Sequence, residues 1–318
     1  MDQIAPRVAW RRQRRWWLAV LATAVAAAGV HAQQVFRSRT DAVVMPVTVT
    51  DSASRLVAGL EQEDFQVFED QVQQDISTFS RQPQPIALSL VIDTSASMEN
   101  KLPIAQEAAM GFVRRMAADD RIQIIDFDSQ AKILQDFSGD REALERAIKR
   151  TDAGGSTSLY NAVYTALSGL KRIGQEPGPE NRRYAVVLLS DGEDTSSIVP
   201  YDDVLDLAKR SGVVVYAIGL REKLKAGASH TTGWKQAEYD LKQLSSDTGG
   251  RAFFADDAAQ LPSYYSQIAD ELSNQYTLGY MSKNSKRDGA WRKILVRISR
   301  PNMTARTKAG YFGPAVPR

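Results

Sequence analysis

IALSLVIDTSASM, residues 86–98, is the stretch from which the fold can be read. Ile86 to Ile92 form an unbroken, mostly apolar run without the polar alternation of a half-exposed strand, so the segment reads as a strand buried on both faces of a parallel sheet. The run stops at Asp93, and hydroxyls follow at Ser95 and Ser97. D-x-S-x-S puts three hard oxygen donors on one short loop at the carboxyl end of a strand, where doubly wound sheets bind ligands. Such donors suit a hard cation: magnesium, manganese or calcium. Taken alone the motif is weak, because Asp and Ser also populate turns for their own backbone hydrogen bonds.

The flanking sequence supplies the context. Leu102 to Ala117 carries apolar residues at Ala105, Ala109, Phe112, Val113 and Met116, a helical spacing. Buried-type strands follow at Ile122–Phe127, Tyr184–Leu189 and Val213–Ile218, with an antiparallel edge strand at Lys132–Phe137 and a short strand at Arg251–Phe254. Helical patterns cover Arg141–Arg150, Ser158–Ile173, Tyr201–Arg210, Lys235–Ser246 and Asp257–Asn274. Strands alternating with helices predict an α/β fold, a doubly wound and mostly parallel sheet with helices on both faces. On either side the pattern is β only: AVVMPVTVT, DFQVFED and VQQDISTF before residue 81, then YTLGY, WRKILVRIS and MTARTKAGYF after residue 275. Neither group has enough strands to stand alone, so the two flanks are expected to pair into one small antiparallel β domain with the α/β domain inserted between them. The expected divisions are 1–32, 33–84, 85–274 and 275–318.

The first of these is an export segment. Arg11, Arg12, Arg14 and Arg15 precede the apolar run Trp16–Val30, and the small-residue pattern Val30-His31-Ala32 follows, the order of a secretory signal peptide cut after Ala32. The run is short for a membrane span, which needs ~20 residues, yet close enough to keep an uncleaved anchor as the alternative. Export to the periplasm or beyond is the expectation. Loss of residues 1–32 takes Lys and Arg from 40 to 35 and Asp and Glu from 38 to 37, so net charge moves from +2 to −2. The basicity belongs to the export signal, which leaves no electrostatic case for nucleic-acid binding. With no cysteine, disulfides and thiolate metal sites are excluded.

Two further loops bring candidate ligands to the edge of the sheet that holds Asp93. GGSTSLYNA, from Gly154, delivers Thr157 just before a helix, and LLSDGEDT, from Leu188, ends a strand at Asp191. Asp93, Ser95, Ser97, Thr157 and Asp191 together give two carboxylates and three hydroxyls, too little charge for a dedicated calcium cage and enough room for water or an incoming carboxylate.

These three motifs, in this order, resemble a von Willebrand factor type A domain with its metal-ion-dependent adhesion site, over roughly residues 85–274. The flanks EDFQVFEDQVQQDISTF and QYTLGY, with WRKILVRI and AGYF, are similar to those of bacterial secreted von Willebrand factor A-related proteins. The resemblance implies Mg2+ (or Mn2+/Ca2+) touched directly by Ser95, Ser97 and Thr157, with Asp93 and Asp191 acting through coordinated water and an acidic residue of a partner protein completing the shell. It also implies a binding module and not an enzyme. The second reading is a structural component of a cell-envelope assembly, the metal serving stability only. Departures are Ala96 for a glycine, Asn161 for an aspartate, Ser156 lengthening the loop before Thr157, and Gln71 for a glycine in the flank.

Rival chemistries are thin. A nucleophilic serine needs a base, and the one histidine outside the export segment, His230, sits in the polar loop AGASHTTGW. There is no G-x-S-x-G elbow and no P-loop. Asp126 and Asp128 could reach an outer shell but read better as turn caps, Glu193 and Asp194 read as a solvated acidic turn, and Tyr264-Tyr265 as packing.

Overall fold

The computed structural model of the chain describes residues 42–179, 181–221 and 232–315. The export segment and His230 lie outside them. Among the described residues no helix is long and apolar enough to cross a membrane.

The central strand β5 (Ile86–Asp93) is buried along its whole length. Around it a six-stranded sheet runs β10 (Ala252–Ala255), β9 (Val214–Leu220), β8 (Arg183–Ser190), β5, β6 (Arg121–Phe127) and β7 (Ala131–Ser138). Every neighbouring pair is parallel except β6–β7, the antiparallel edge that the sequence predicts. Side-chain alternation sends Ile86, Leu88, Leu90 and Ile92 to one face, against α1 (Leu102–Arg115), α2 (Arg141–Lys149) and α6 (Leu261–Ser273). Ala87 and Val91 go to the other, against α3 (Leu159–Ile173), α4 (Tyr201–Ser211) and α5 (Thr232–Thr248). A strand covered on both faces must be apolar at every step, which is why β5 shows no alternation.

The chain leaves β5 for β6 and β7 on one side, then returns to lay β8, β9 and β10 on the other. The order reverses between β5 and β8, so the loops after these two strands diverge and leave a crevice at their carboxyl ends.

The flanks pair as expected, but in two sheets. β1 (Ala42–Asp51) lies between β11 (Tyr276–Met281) and β13 (Met303–Arg306), with β4 (Ile76–Ser80) beyond β11. The second sheet runs β14 (Gly310–Phe312), β12 (Trp291–Ile298), β2 (Phe65–Glu69) and β3 (Val72–Gln74). Val43, Met45 and Val47 from one sheet and Phe65, Val67, Ile294 and Val296 from the other share one apolar core. Two expected strands divide: VQQDISTF gives β3 and β4 in different sheets, and MTARTKAGYF gives β13 and β14. The physical reason is that a chain turning the corner of a sandwich keeps its extended conformation while it changes partners.

Candidate metal centre

β5 delivers Asp93 to the crevice with its carboxyl fully buried, and the chain then turns. Both Asp93 oxygens are engaged. Oδ1 accepts from the Ser95 amide at 2.9 Å and the Ser95 hydroxyl at 2.5 Å, and Oδ2 accepts from the Ser190 hydroxyl at 2.6 Å. The Ser95 and Ser97 hydroxyl oxygens are 3.1 Å apart, and Ser97 donates to Asp191 Oδ1 at 2.8 Å. Each serine thus spends its one hydroxyl proton on a carboxylate, Ser95 on Asp93 and Ser97 on Asp191, and the two hydroxyl oxygens bring four of the five predicted residues together across the gap between β5 and β8. Ser97 is exposed, so the cluster opens to solvent at that point.

The fifth, Thr157, comes on the loop before α3. Its backbone N–H donates to Thr195 Oγ1 at 3.0 Å, and its carbonyl accepts from the Thr195 and Ser196 amides at 2.8 and 3.1 Å. Its side-chain oxygen sits 3.7 Å from where a Cβ on Gly192 would lie, beside the turn that follows Asp191. No hydrogen bond of that hydroxyl occurs among the described residues. The loop docks on the first motif through Gly154 N–H to the Thr94 carbonyl at 2.8 Å and Ala96 N–H to the Gly155 carbonyl at 3.2 Å. Gly155 has φ +72°, and a Cβ there would stand 2.6 Å from Ser129 Oγ, so glycine is required on two counts.

Burial pushes the Asp93 carboxyl up to about 6, against the pull of hydrogen bonds from Ser190 and Ser95, and the nearby Asp191 charge pushes the same way. A buried Asp93 carboxylate pushed up in this way, with a second carboxylate beside it, marks a site short of positive charge. Asp191, whose side chain is fully buried, meets one cation: the Lys101 ammonium pairs with its Oδ2.

The donor set fits a hard divalent ion. No group of three or more His, Cys, Asp or Glu able to hold a metal occurs among the described residues. The set consists instead of two carboxylates and three hydroxyls converging on one crevice, with the Thr157 hydroxyl free to coordinate. Ser95, Ser97 and Thr157 would contact the ion, which would supply the charge that the carboxylates lack.

Other expected residues resolve differently. Asp128 caps a turn, accepting from the Gln130 amide at 2.9 Å and pairing with Lys132 at 3.0 Å. Asp126 is buried, with Oδ1 unpaired among the described residues. Asp194 braces its own loop, accepting from the Tyr160 amide at 3.2 Å and the Ser197 hydroxyl at 2.5 Å. Asn161, the departure from aspartate, holds the same loop by accepting from the Ile198 and Val199 amides at 3.2 and 3.1 Å. Tyr265 packs on Phe112, ring centroids 5.3 Å apart. Sequence reasoning missed Ser190, the hydroxyl one residue before Asp191, and Lys101, the first basic residue after the D-x-S-x-S loop.

Comparison with known proteins gives a family model described as the von Willebrand factor type A domain, matching residues 87–267. An uncharacterized protein of Borreliella burgdorferi is 26% identical over 230 residues, 66% of this chain and 60% of that protein. A UPF0353 protein of Nocardia farcinica is 25% identical over 224 residues, 61% of this chain and 65% of that protein. The chain therefore spans less than two thirds of the length of these relatives. Among solved structures, a von Willebrand factor type A protein from Catenulispora acidiphila is 12% identical with a TM-score of 0.49, covering 88% of this chain and 76% of that one. Proximal thread matrix protein 1 from the mussel byssus, solved with a zinc-occupied MIDAS motif, is 17% identical with a TM-score of 0.49 over 64% of this chain and 50% of that one.

Proposed function

Since the chain belongs to the von Willebrand factor type A domain family, we propose that it is an exported binding module that holds one divalent cation at Asp93, Ser95, Ser97, Thr157 and Asp191. The cation grips an acidic group on a partner protein. What carries the reading is the cluster of Asp93, Ser95, Ser97 and Asp191, in which two serine–carboxylate hydrogen bonds stand side by side with the hydroxyl oxygens 3.1 Å apart and gather hard oxygens from two loops at the point where the strand order reverses. The serine hydroxyls take carboxylates as partners, an oxygen-only grouping that suits a hard metal ion. Three of the five donors are neutral hydroxyls, which leaves room in the shell for a partner's Asp or Glu. Magnesium, manganese and calcium all suit such donors.

The test is thermal unfolding of the purified protein in Mg2+, Mn2+, Ca2+ or chelator, beside Ser95→Ala. A ligand that binds only the folded state adds about 2.7 kcal/mol at a hundredfold excess over Kd. A metal-dependent rise in Tm that Ser95→Ala loses is expected, with Mn2+-dependent retention on an array of Asp- and Glu-containing peptides. No shift with any ion sinks the metal-bridged reading. A shift without metal-dependent retention favours the structural alternative, in which the ion serves the fold alone.

A further inference from the structure

Lys101 is the charged residue at the centre that cation binding does not use. It stands immediately before α1, its carbonyl accepting the Ala105 amide at 3.0 Å, and so arrives with the D-x-S-x-S loop. Its side chain is 25% exposed, whereas that of Asp191 is fully enclosed. Among the described residues no other cation pairs with Asp191, and none pairs with Asp93. Ser97 takes one Asp191 oxygen and the Lys101 ammonium takes the other, so both oxygens of a buried carboxylate have partners and its charge is balanced by the ammonium.

A divalent ion entering beside Asp191, directly or through water, competes with the ammonium for the same buried carboxylate. It would also stand a few ångströms from a unit positive charge in a poorly solvated crevice, where Coulomb repulsion is strong. The ammonium ends a flexible four-carbon stem that is already a quarter exposed, so it can withdraw to water as the ion takes over the charge of Asp191. The geometry points to Lys101 as a tethered cation that neutralises the centre when no divalent ion is bound and must leave for one to enter. The inference rests on the cation-binding reading of the same residues. Its consequence is a centre that stays folded without metal and binds metal more weakly than its oxygens alone would allow.

The experiment is isothermal titration with Mn2+ of the wild type, Lys101→Met and Lys132→Met. Lys132 lies on β7 at the same edge of the sheet, paired with Asp128, and controls for loss of a charge as such. Lys101→Met is expected to bind Mn2+ at least tenfold more tightly than the wild type, with Lys132→Met within threefold. In chelator Lys101→Met melts below the wild type, and saturating Mn2+ closes the gap. Equal or weaker binding by Lys101→Met beside a wild type that binds overturns the inference and leaves the cation-binding reading standing; so does an equal gain in Lys132→Met. Binding by Lys101→Met alone makes Lys101 a fixed block that never yields to a divalent ion, which overturns the inference together with the cation-binding reading for the natural chain, and no binding by either overturns both. Should Lys101→Met not fold, reductive methylation of the wild type read by mass spectrometry decides: Mn2+ is expected to raise labelling of Lys101 at least threefold, and unchanged or lower labelling overturns the inference.

Discussion

Asp93 is a carboxylate placed where water does not reach it, and its neighbours are arranged to make that tolerable. The rise from an ordinary 3.8 to about 6 corresponds to about 3 kcal/mol of disfavoured ionisation. Hydrogen bonds from Ser95 and Ser190 hold the rise to that level. Asp93→Asn keeps the shape and removes the charge, and the Ser190 hydroxyl can turn to accept from the new amide. In chelator at pH 8 this variant should be more stable than the wild type by about 1–2 kcal/mol, less than the full ionisation term because one charge-assisted hydrogen bond is lost. It should also lose any Mn2+-dependent rise in Tm. Denaturant unfolding with and without Mn2+ checks both, and a variant less stable than the wild type in chelator contradicts the electrostatic reading of Asp93. Asp93, Ser95 and Ser97 can be read from their fixed spacing, and Thr157 and Asp191 from their places in a loop before a helix and at the end of a buried strand. Ser190 and Lys101 were not visible, because a serine before an aspartate and a lysine before a helix each have ordinary local roles. Only the parallel pairing of β5 with β8 gives them others.

Among the elements, the strands that read most plainly are those whose surroundings are uniform. β5 and β8 are covered on both faces, so each is an apolar run. β12 is covered on one face and alternates. The corner at Asp75 was not legible, since the alternation continues through it while the partner changes from β2 to β11. The hairpin joining β2 to β3 turns at Asp70-Gln71. Both residues have positive φ, +46° and +72°, as a two-residue turn of type I′ requires. Asp70 offsets part of the cost by accepting the Lys293 amide at 2.9 Å, whereas Gln71 has no such compensation in the backbone geometry it adopts. Gln71→Gly should therefore stabilise the protein by about 0.5–1 kcal/mol, the relief of left-handed strain exceeding glycine's extra entropy when unfolded. Chemical denaturation checks it, and the metal response should not change, because this hairpin belongs to the flanking sheet.

At the scale of the whole molecule, the flanking sheets and the α/β domain meet through a buried polar cluster. Glu271 on α6 accepts from Thr48 of β1 at 3.0 Å and from the Tyr216 hydroxyl of β9 at 3.2 Å, and pairs with Arg306 of β13. Gln275 donates to Thr48 and Tyr216 at 3.2 and 3.1 Å and accepts from Arg183 at 2.8 Å. Burial pushes the Tyr216 hydroxyl from 10 up to about 12, although Arg306, Arg183 and Gln275 pull it down. A folded-state value above the unfolded one means that the folded protein keeps its proton longer. The associated stability is fully present below pH 10 and is lost as pH rises towards 12, up to about 3 kcal/mol. Tyr216→Phe lacks both the hydrogen bonds and the proton. At pH 8 it should be less stable than the wild type by about 1–2 kcal/mol, with Gln275 and Glu271 each short of one partner. Between pH 10 and 12 the wild type should lose this advantage and the gap should close or reverse, while other buried tyrosines affect both proteins alike. Urea unfolding of the pair at pH 8, 10 and 11.5 measures it. A gap independent of pH would mean that Tyr216 ionises as freely in the folded protein as in the unfolded chain, and that the junction between flanks and α/β domain is wetter than its packing indicates.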